Sequence, residues 1–498
     1  VEFPVNCSSE VDPSDGHPPM AVNGCICPNC RLDIKLYPTR MAGPMPAEPG
    51  AVRDPGWRSG DRVLVGKFVY DLPEKHPDRL DVVVFKFPGD REFPHTGPVK
   101  KHVPINYIKR LIGLPGETVA VHRGKIWLLG ADRGLTYKQP EGPDAEKTQS
   151  WRYRNMHHDD TQAVERFNRG EFEILRKPPT QLLAMRRLVY DADHPARDLK
   201  GPEFQRWLSQ AENGWSPIDK QSTSFRHEGN SQDITWLRYR HVLRPGNDRG
   251  PVVGPQLITD FMGYNTWAGG GGHFPPRENW ASDLMVECEA VFDKLEGSFA
   301  MELSRGEDRY QALFDLNQGT CSLIQIGKNQ EAKTLATEKV SLGSGKAHLL
   351  RFANMDDRLC VWVDEKLPFG DGVPYGPVRN LVPTRENDLE RPVRLGSKNA
   401  RVAVSKLKLY RDTYYTTNRG DRPSDADVSF NPGDSSTFSA WQDAPVSTYY
   451  VQPGHYLCLG DNSPESSDGR SWGLVPQRLL LGKAMLVYYP FSRAGRIR

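Results

Sequence analysis

The chain has 498 residues, a length that corresponds on average to about three domains. Lysine plus arginine exceed aspartate plus glutamate by 65 − 63 = 2, so bulk charge gives no argument for nucleic acid, and no DNA- or RNA-binding pattern occurs. No run of 18 apolar residues exists, so no stretch within these residues reads as a membrane-spanning helix.

Eight cysteines are too dilute for a disulfide framework. Three cluster early, in Cys25-Ile26-Cys27-Pro28-Asn29-Cys30. Cys27 and Cys30 have the C-x-x-C spacing of zinc ligands, but a complete ribbon needs a second pair and only Cys7 lies nearby. Residues 1–50 therefore read as half of a structural zinc site, complete only if a preceding portion supplies the other half. Cys288, Cys321, Cys360 and Cys458 sit in apolar runs and read as core residues.

Val82-Val83-Val84 is a β-branched run suited to a buried strand. Residues 106–112 predict another, with Tyr107, Lys109 and Leu111 on one face and Ile108, Arg110 and Ile112 on the other. Leu114-Pro115-Gly116 ends it with a turn. Burial beside Tyr107 and Leu111 favours a neutral Lys109 amine, the form able to accept a proton. The plain alternative is a Lys–Arg pair that protects a sheet edge.

Residues 131–217 are charged and mixed, with short helices expected over 181–190 and 202–212. His157-His158-Asp159-Asp160 reads as a solvated loop rather than a metal site. From 218 to 413 short alternating strands recur between turn residues, the pattern of a β-sandwich. Gly269 to Gly272 form a glycine loop without the following Lys-Ser/Thr of a phosphate site. Residues 414–446, rich in Ser, Asp, Pro and Asn, read as a linker. Residues 451–459 predict a strand, interrupted at Pro453-Gly454, that runs into the polar turn Gly460-Asp461-Asn462. Asp468 and Arg470 are close enough for a local ion pair, with Trp472 packed beneath. The plain alternative here is an ordinary Asp/Gly-rich hairpin loop.

Two strings carry a family resemblance: Asn106-Tyr107-Ile108-Lys109-Arg110-Leu111-Ile112-Gly113-Leu114-Pro115-Gly116-Glu117, and Gly460-Asp461-Asn462-Ser463-Pro464-Glu465-Ser466-Ser467-Asp468-Gly469-Arg470-Ser471-Trp472-Gly473. In this order they resemble the lysine box and the Gly-Asp-Asn box of type I signal peptidases, serine–lysine enzymes that remove secretory signal peptides. The flanks Ser59–Phe68 and Arg79–Pro88 resemble the family strands after the nucleophile and at the substrate. The resemblance implies that Lys109 is the general base and that Ser466 orients it. Asp461, Asn462, Asp468 and Arg470 are then supporting residues. Asp81, Val82, Val83 and Val84 are then the strand along which an extended signal peptide adds. Ser463-Pro464-Glu465 and Gly469 depart from the usual box. The family nucleophile sits in a Ser-Met-x-Pro element, and these 498 residues contain none.

A second likeness links residues 281–303, 358–372 and 400–415 to concanavalin- or laminin-G-like jelly rolls, which often bind glycans. The expectation is a mainly β protein: a signal-peptidase β core in two parts (51–130 and 447–498), split by an insert that includes a β-sandwich at 218–413. It implies a serine endopeptidase acting on exported preproteins at the extracytoplasmic side of the cell membrane, with no cofactor for catalysis. The nucleophile and a membrane anchor are expected upstream of Val1, so this chain alone is expected to be inactive. The rival reading is an inactive envelope protein whose sandwich binds a glycan or a partner.

Overall fold

The computed structural model describes residues 22–38, 43–48, 50–56, 60–70, 76–88, 106–135, 157–158, 160–196, 198–212, 214–221, 223–244, 254–265, 267–268, 278–378, 381–417, 425 and 428–498. The protein is mainly β and divides into two compact units. One comprises Arg58–Met185, Thr413–Val428 and Ala444–Arg498; the other comprises Val1–Trp57, Arg186–Asp412 and Ser429–Asp443.

The first unit, the split core, is built on two sheets. In the larger, strands follow the order Val475–Pro476, His455–Leu459, Asn106–Gly113, Val82–Lys86, Leu480–Tyr489 and Gly495–Arg496, and Arg62–Gly66 also pairs with Leu480–Tyr489. The smaller sheet places Thr118–His122 between Lys125–Leu129 and Val446–Tyr450. The middle of the larger sheet is buried on both faces because its strands alternate between two clusters. Leu111 and Cys458 join Val83, Phe85 and Trp472 on one face. Ile112, Leu457 and Leu459 join Val119, Val121 and Tyr449 on the other. Period-two alternation thus puts Lys109 on the Leu111 face and Arg110 on the Ile112 face.

The turn after the lysine strand is pinned. Gly116 takes φ +85°, a region that glycine reaches without strain. The Glu117 carboxylate accepts the Leu114 N–H at 2.8 Å and a bidentate pair from Arg79 at 2.9 and 2.5 Å.

The second unit is a two-sheet β-sandwich together with a small sheet of Trp267–Ala268, Gly24–Ile26, Asp33–Tyr37 and Ala51–Arg53. One sandwich sheet has the order Trp215–Pro217, Phe225–Glu228, Arg401–Arg411, Leu284–Phe292, Ala347–Met355, Arg358–Val363 and Val373–Pro374, with Arg187–Asp191 also on Arg401–Arg411. The other runs Trp207–Ser209, Thr235–Tyr239, Val393–Lys398, Ser298–Arg305, Asp308–Asp315, Thr320–Ile326 and Ala332–Lys339. Inward residues of both sheets, among them Val286, Phe292, Phe299, Phe314, Phe352 and Leu409, form one core. Cys288 and Cys321 lie in it, and Cys360 and Cys458 are likewise buried. The insertion enters and leaves through one ladder, in which Arg187 faces Arg411. Just outside those positions, and within the split core, Thr413 Oγ1 donates to the Met185 carbonyl at 2.8 Å.

Several segments differ from the sequence expectation. The sandwich begins before residue 218, because Arg187–Asp191, Trp207–Ser209 and Trp215–Pro217 are strands of its sheets. The only helix of the expected 181–190 stretch is Pro179–Met185, after which cross-strand pairing with Arg401–Arg411 overrides local preference. His157–His158 is a short strand on Val446–Tyr450 rather than a loop. Residues 414–446 are more than a linker. Ser435–Asp443 forms a 3-10 helix that buries Phe438 and Trp441, and Trp441 meets Trp280 edge-on, with ring centroids 6.4 Å apart. Cys7, Ser59, Asp159 and Gly269 to Gly272 lie outside the described residues.

Candidate active site

The lysine strand and the loop after His455–Leu459 meet because those two strands are ladder neighbours, with Arg110 opposite Leu459 and Leu111 opposite Cys458. The pairing delivers the 460–473 loop to Lys109. Lys109 Nζ donates to Ser466 Oγ at 3.0 Å, although the two residues are 357 positions apart. Lys109 is half-buried, Ser466 is buried, and the ammonium lies 5.6 Å from the centroid of the Tyr107 ring.

Gly460 makes room for this contact. Its role is steric rather than conformational, since a Cβ there would lie 2.0 Å from Ser466 Oγ and 3.4 Å from Lys109 Nζ. Gly460→Ala must therefore push the hydroxyl aside, and overpacking of this kind costs about 1–3 kcal/mol. The expected outcome is a lowered unfolding midpoint together with any Ser466-dependent activity lost. A Gly460→Ala protein with unaltered midpoint and turnover would show that the close approach is dispensable.

Beneath the loop lies a buried ion pair. Arg470 Nε donates to Asp468 Oδ1 at 2.9 Å and Nη2 to Oδ2 at 2.6 Å, and the Gly460 N–H adds a bond to Asp468 at 3.0 Å. Asp468 also caps the short helix Gly469–Trp472 through the Arg470 N–H. Burial alone would raise the Asp468 pKa, but the Arg470 guanidinium and the backbone donors hold it below the ordinary carboxylate value. The rest of the guanidinium reaches the Ser463 carbonyl at 2.8 Å and the Thr416 carbonyl at 2.8 Å. Trp472 packs against Phe85 and Phe87, with ring centroids 5.7 Å away in each case.

A second brace was not read from sequence. Arg110 donates Nε and Nη2 to Asp461 at 2.9 and 2.7 Å, so the residue next to the lysine ties down the other end of the loop. The alternation that exposes Lys109 to one face sends Arg110 to the opposite one. Asn462 contributes through its backbone, its carbonyl accepting the Glu465 N–H at 3.2 Å. Ser463 and Thr416, the first in the departing part of the box and the second in the expected linker, also went unread.

The expected substrate strand is a correction. Val82–Lys86 is an interior strand, paired to Asn106–Arg110 on one side and to Leu480–Lys483 on the other. Val83 and Val84 carry partners on both edges, which leaves no free edge there for a peptide, while Val82 is paired to Arg110. Val83 is in the core, and the Asp81 carboxylate is held by Lys483 and by the Tyr70 hydroxyl at 3.1 Å. The His455–Leu459 partner, by contrast, pairs with the lysine strand only from Arg110 onward, and Ile108, just before the lysine, is exposed.

Residues 45–172 and 394–489 match the signal peptidase family, peptidase S26. The two matched segments resemble a type I signal peptidase core interrupted by an insertion. Signal peptidase I of Pseudomonas aeruginosa is 34% identical over 87 residues, which cover 16% of this chain and 26% of that protein. Signal peptidase I of Buchnera aphidicola is 41% identical over 49 residues, 10% of this chain and 16% of its own length. The chain thus spans about a quarter or less of the curated signal peptidases it matches. Among solved structures, a carbohydrate binding module (CBM66) from Bacillus subtilis aligns with 41% of this chain and 95% of its own, at 12% identity and a TM-score of 0.26. Galectin LEC-6 of Caenorhabditis elegans aligns with 26% of this chain and 86% of its own, at 9% identity and a TM-score of 0.18. No described helix is long and apolar enough to cross a membrane.

Proposed function

We propose that the signal peptidase core supplies the proton acceptor and its orienting hydroxyl for cleavage of signal peptides from exported preproteins, at the extracytoplasmic face of the cell membrane. The observation that carries this reading is the 3.0 Å contact between Lys109 Nζ and Ser466 Oγ. In the proposed reaction a serine hydroxyl attacks the scissile carbonyl as its proton passes to the neutral Lys109 amine. That amine then returns the proton to the leaving peptide nitrogen, and water completes hydrolysis of the acyl-enzyme. The nucleophile is assigned to the Ser-Met-x-Pro setting of the family, which these 498 residues do not contain. The substrate strand is assigned to the lysine-strand edge at Ile108, where pairing with His455–Leu459 has ended.

The test is cleavage of a preprotein by the full-length polypeptide. Ser466→Ala should slow turnover by about 10- to 100-fold, since a hydrogen bond to a charged group is worth about 1.5–3 kcal/mol. Ser466→Thr, which keeps the hydroxyl, should recover part of the loss. A fully active Ser466→Ala protein would remove Ser466 from the mechanism. Absence of preprotein cleavage by the unaltered full-length polypeptide would overturn the peptidase reading itself.

A further inference from the structure

Peptide cleavage makes no use of the sandwich sheet that runs from Trp207–Ser209 to Ala332–Lys339. Leu237, Leu395, Leu303 and Ala312 on its middle strands lie in the core, so the residues that alternate with them point outward. Register fixes an outward row across four neighbouring strands: Arg238 stands opposite Arg394, Arg394 opposite Glu302, and Glu302 opposite Gln311. The row on one side of it reads Trp236, Gly396, Ala300 and Leu313. On its other side Ser304 stands opposite Arg309.

Glu302 is the one carboxylate among these residues, and its oxygens are taken. Arg394 Nε donates to Oε1 at 2.7 Å, and Gln311 Nε2 donates to Oε2 at 2.6 Å. Arg309 is buried, and its side-chain partner is the neutral Gln330 amide oxygen. Arg238 is half-buried and pairs with no carboxylate of the described residues. Like charges directly opposite each other on a sheet are unfavourable, and a buried guanidinium without a counter-charge costs more. An anion among Arg238, Arg309 and Arg394 relieves both. These arginines gather on one patch instead of following a line of charges, as binding to a nucleic-acid backbone would need.

The patch has an apolar border. A Cβ on Gly396 would lie 2.8 Å from the Trp236 ring, so that ring rests on the sheet, and the Arg394 guanidinium lies 4.2 Å from its centroid. Trp236, Leu313 and Ile324, the last opposite Gln311, are each partly exposed. Gathered guanidinium groups beside an apolar border suit a sugar ring, which has an apolar C–H face, bearing a carboxylate or phosphate.

We infer that this outward face binds an acidic glycan, with Arg238, Arg309 and Arg394 around its anionic group and Trp236 beside the ring.

The experiment measures binding of the 498-residue protein to two matched pairs of polymers: polygalacturonate with its methyl ester, and phosphomannan with unphosphorylated mannan. Members of a pair share a sugar backbone and differ in charge. At least one acidic polymer should bind at least about tenfold more tightly than its neutral counterpart, and less tightly as salt rises. The pair that responds tells carboxylate from phosphate. Arg238→Gln, Arg309→Gln and Trp236→Leu should each weaken binding about tenfold or more. Unfolding midpoints separate lost binding from lost fold. Lys333→Gln, on the edge strand Ala332–Lys339, should leave binding unchanged. The assignment is overturned if neither acidic polymer binds, if charged and neutral members bind equally, or if Arg238→Gln and Trp236→Leu both bind fully. A loss from Lys333→Gln as large as that from Arg238→Gln, or tighter binding of a single-stranded oligonucleotide than of either polymer, would do the same.

Discussion

Replacing Lys109 by alanine is expected to lower preprotein cleavage by the full-length polypeptide about 10³-fold or more. The fold should hardly change, because the half-buried side chain's hydrogen bond to Ser466 is worth about 1 kcal/mol net. Lys109→Arg is the sharper variant. A guanidinium preserves the positive charge and can still donate to Ser466, but it stays protonated and cannot accept the serine proton. If Lys109 is the base, arginine and alanine should be equally inactive. If the position serves only to place positive charge beside the loop, arginine should restore most of the rate. The comparison needs cleavage rates and unfolding midpoints for both variants, and substantial activity in Lys109→Arg would refute the assigned role.

Asp468→Ala is expected to destabilise the core by about 3–5 kcal/mol, because it leaves the Arg470 guanidinium buried without its counter-charge. That is a large share of the 5–15 kcal/mol typical of a folded domain. Arg470→Ala should be comparably harmful, whereas Asp468→Leu combined with Arg470→Met should recover much of the loss. The same carboxylate gives a pH dependence. Its folded pKa lies below the unfolded value of about 3.9, so its stabilisation is complete above that value and fades as pH falls through the folded one. Denaturant unfolding at neutral and acidic pH measures both effects. A purely additive double variant, with each single change costing under about 1 kcal/mol, would mean that the pair does not brace the loop.

The lysine strand and the 460–473 loop were legible because their signals are local. Alternation sets the faces, Pro115-Gly116 sets the turn, and Asp468 lies two residues from its partner. What escaped was decided by distant sequence. Arg187–Asp191 is a strand only because Arg401–Arg411 lies beside it, and nothing within ten residues announces that. Arg110 looked like the second member of a basic pair until Asp461 was seen to clamp it. The Val82–Val84 run declared a buried strand correctly. Which edge of a sheet stays open depends on strand order, however, and composition does not encode strand order. The Ser/Asp-rich stretch before the second part of the core hid Phe438 and Trp441, two anchors outnumbered by polar neighbours.

The splitting of the core also fixes an order of events during synthesis. Arg110 emerges from the ribosome 351 positions before Asp461, a lag of about 20–70 s at ordinary elongation rates. Throughout that interval the lysine strand lacks its His455–Leu459 neighbour and presents an open edge to other chains. The strands of the β-sandwich have all been made by Arg411, before that neighbour. Its Arg187–Arg411 ladder then draws the two broken ends of the core together. A loop of some hundreds of residues is thereby reduced to a short one while the last strands are still being made, and destabilising the ladder should lengthen the aggregation-prone interval even where the finished core is unaffected.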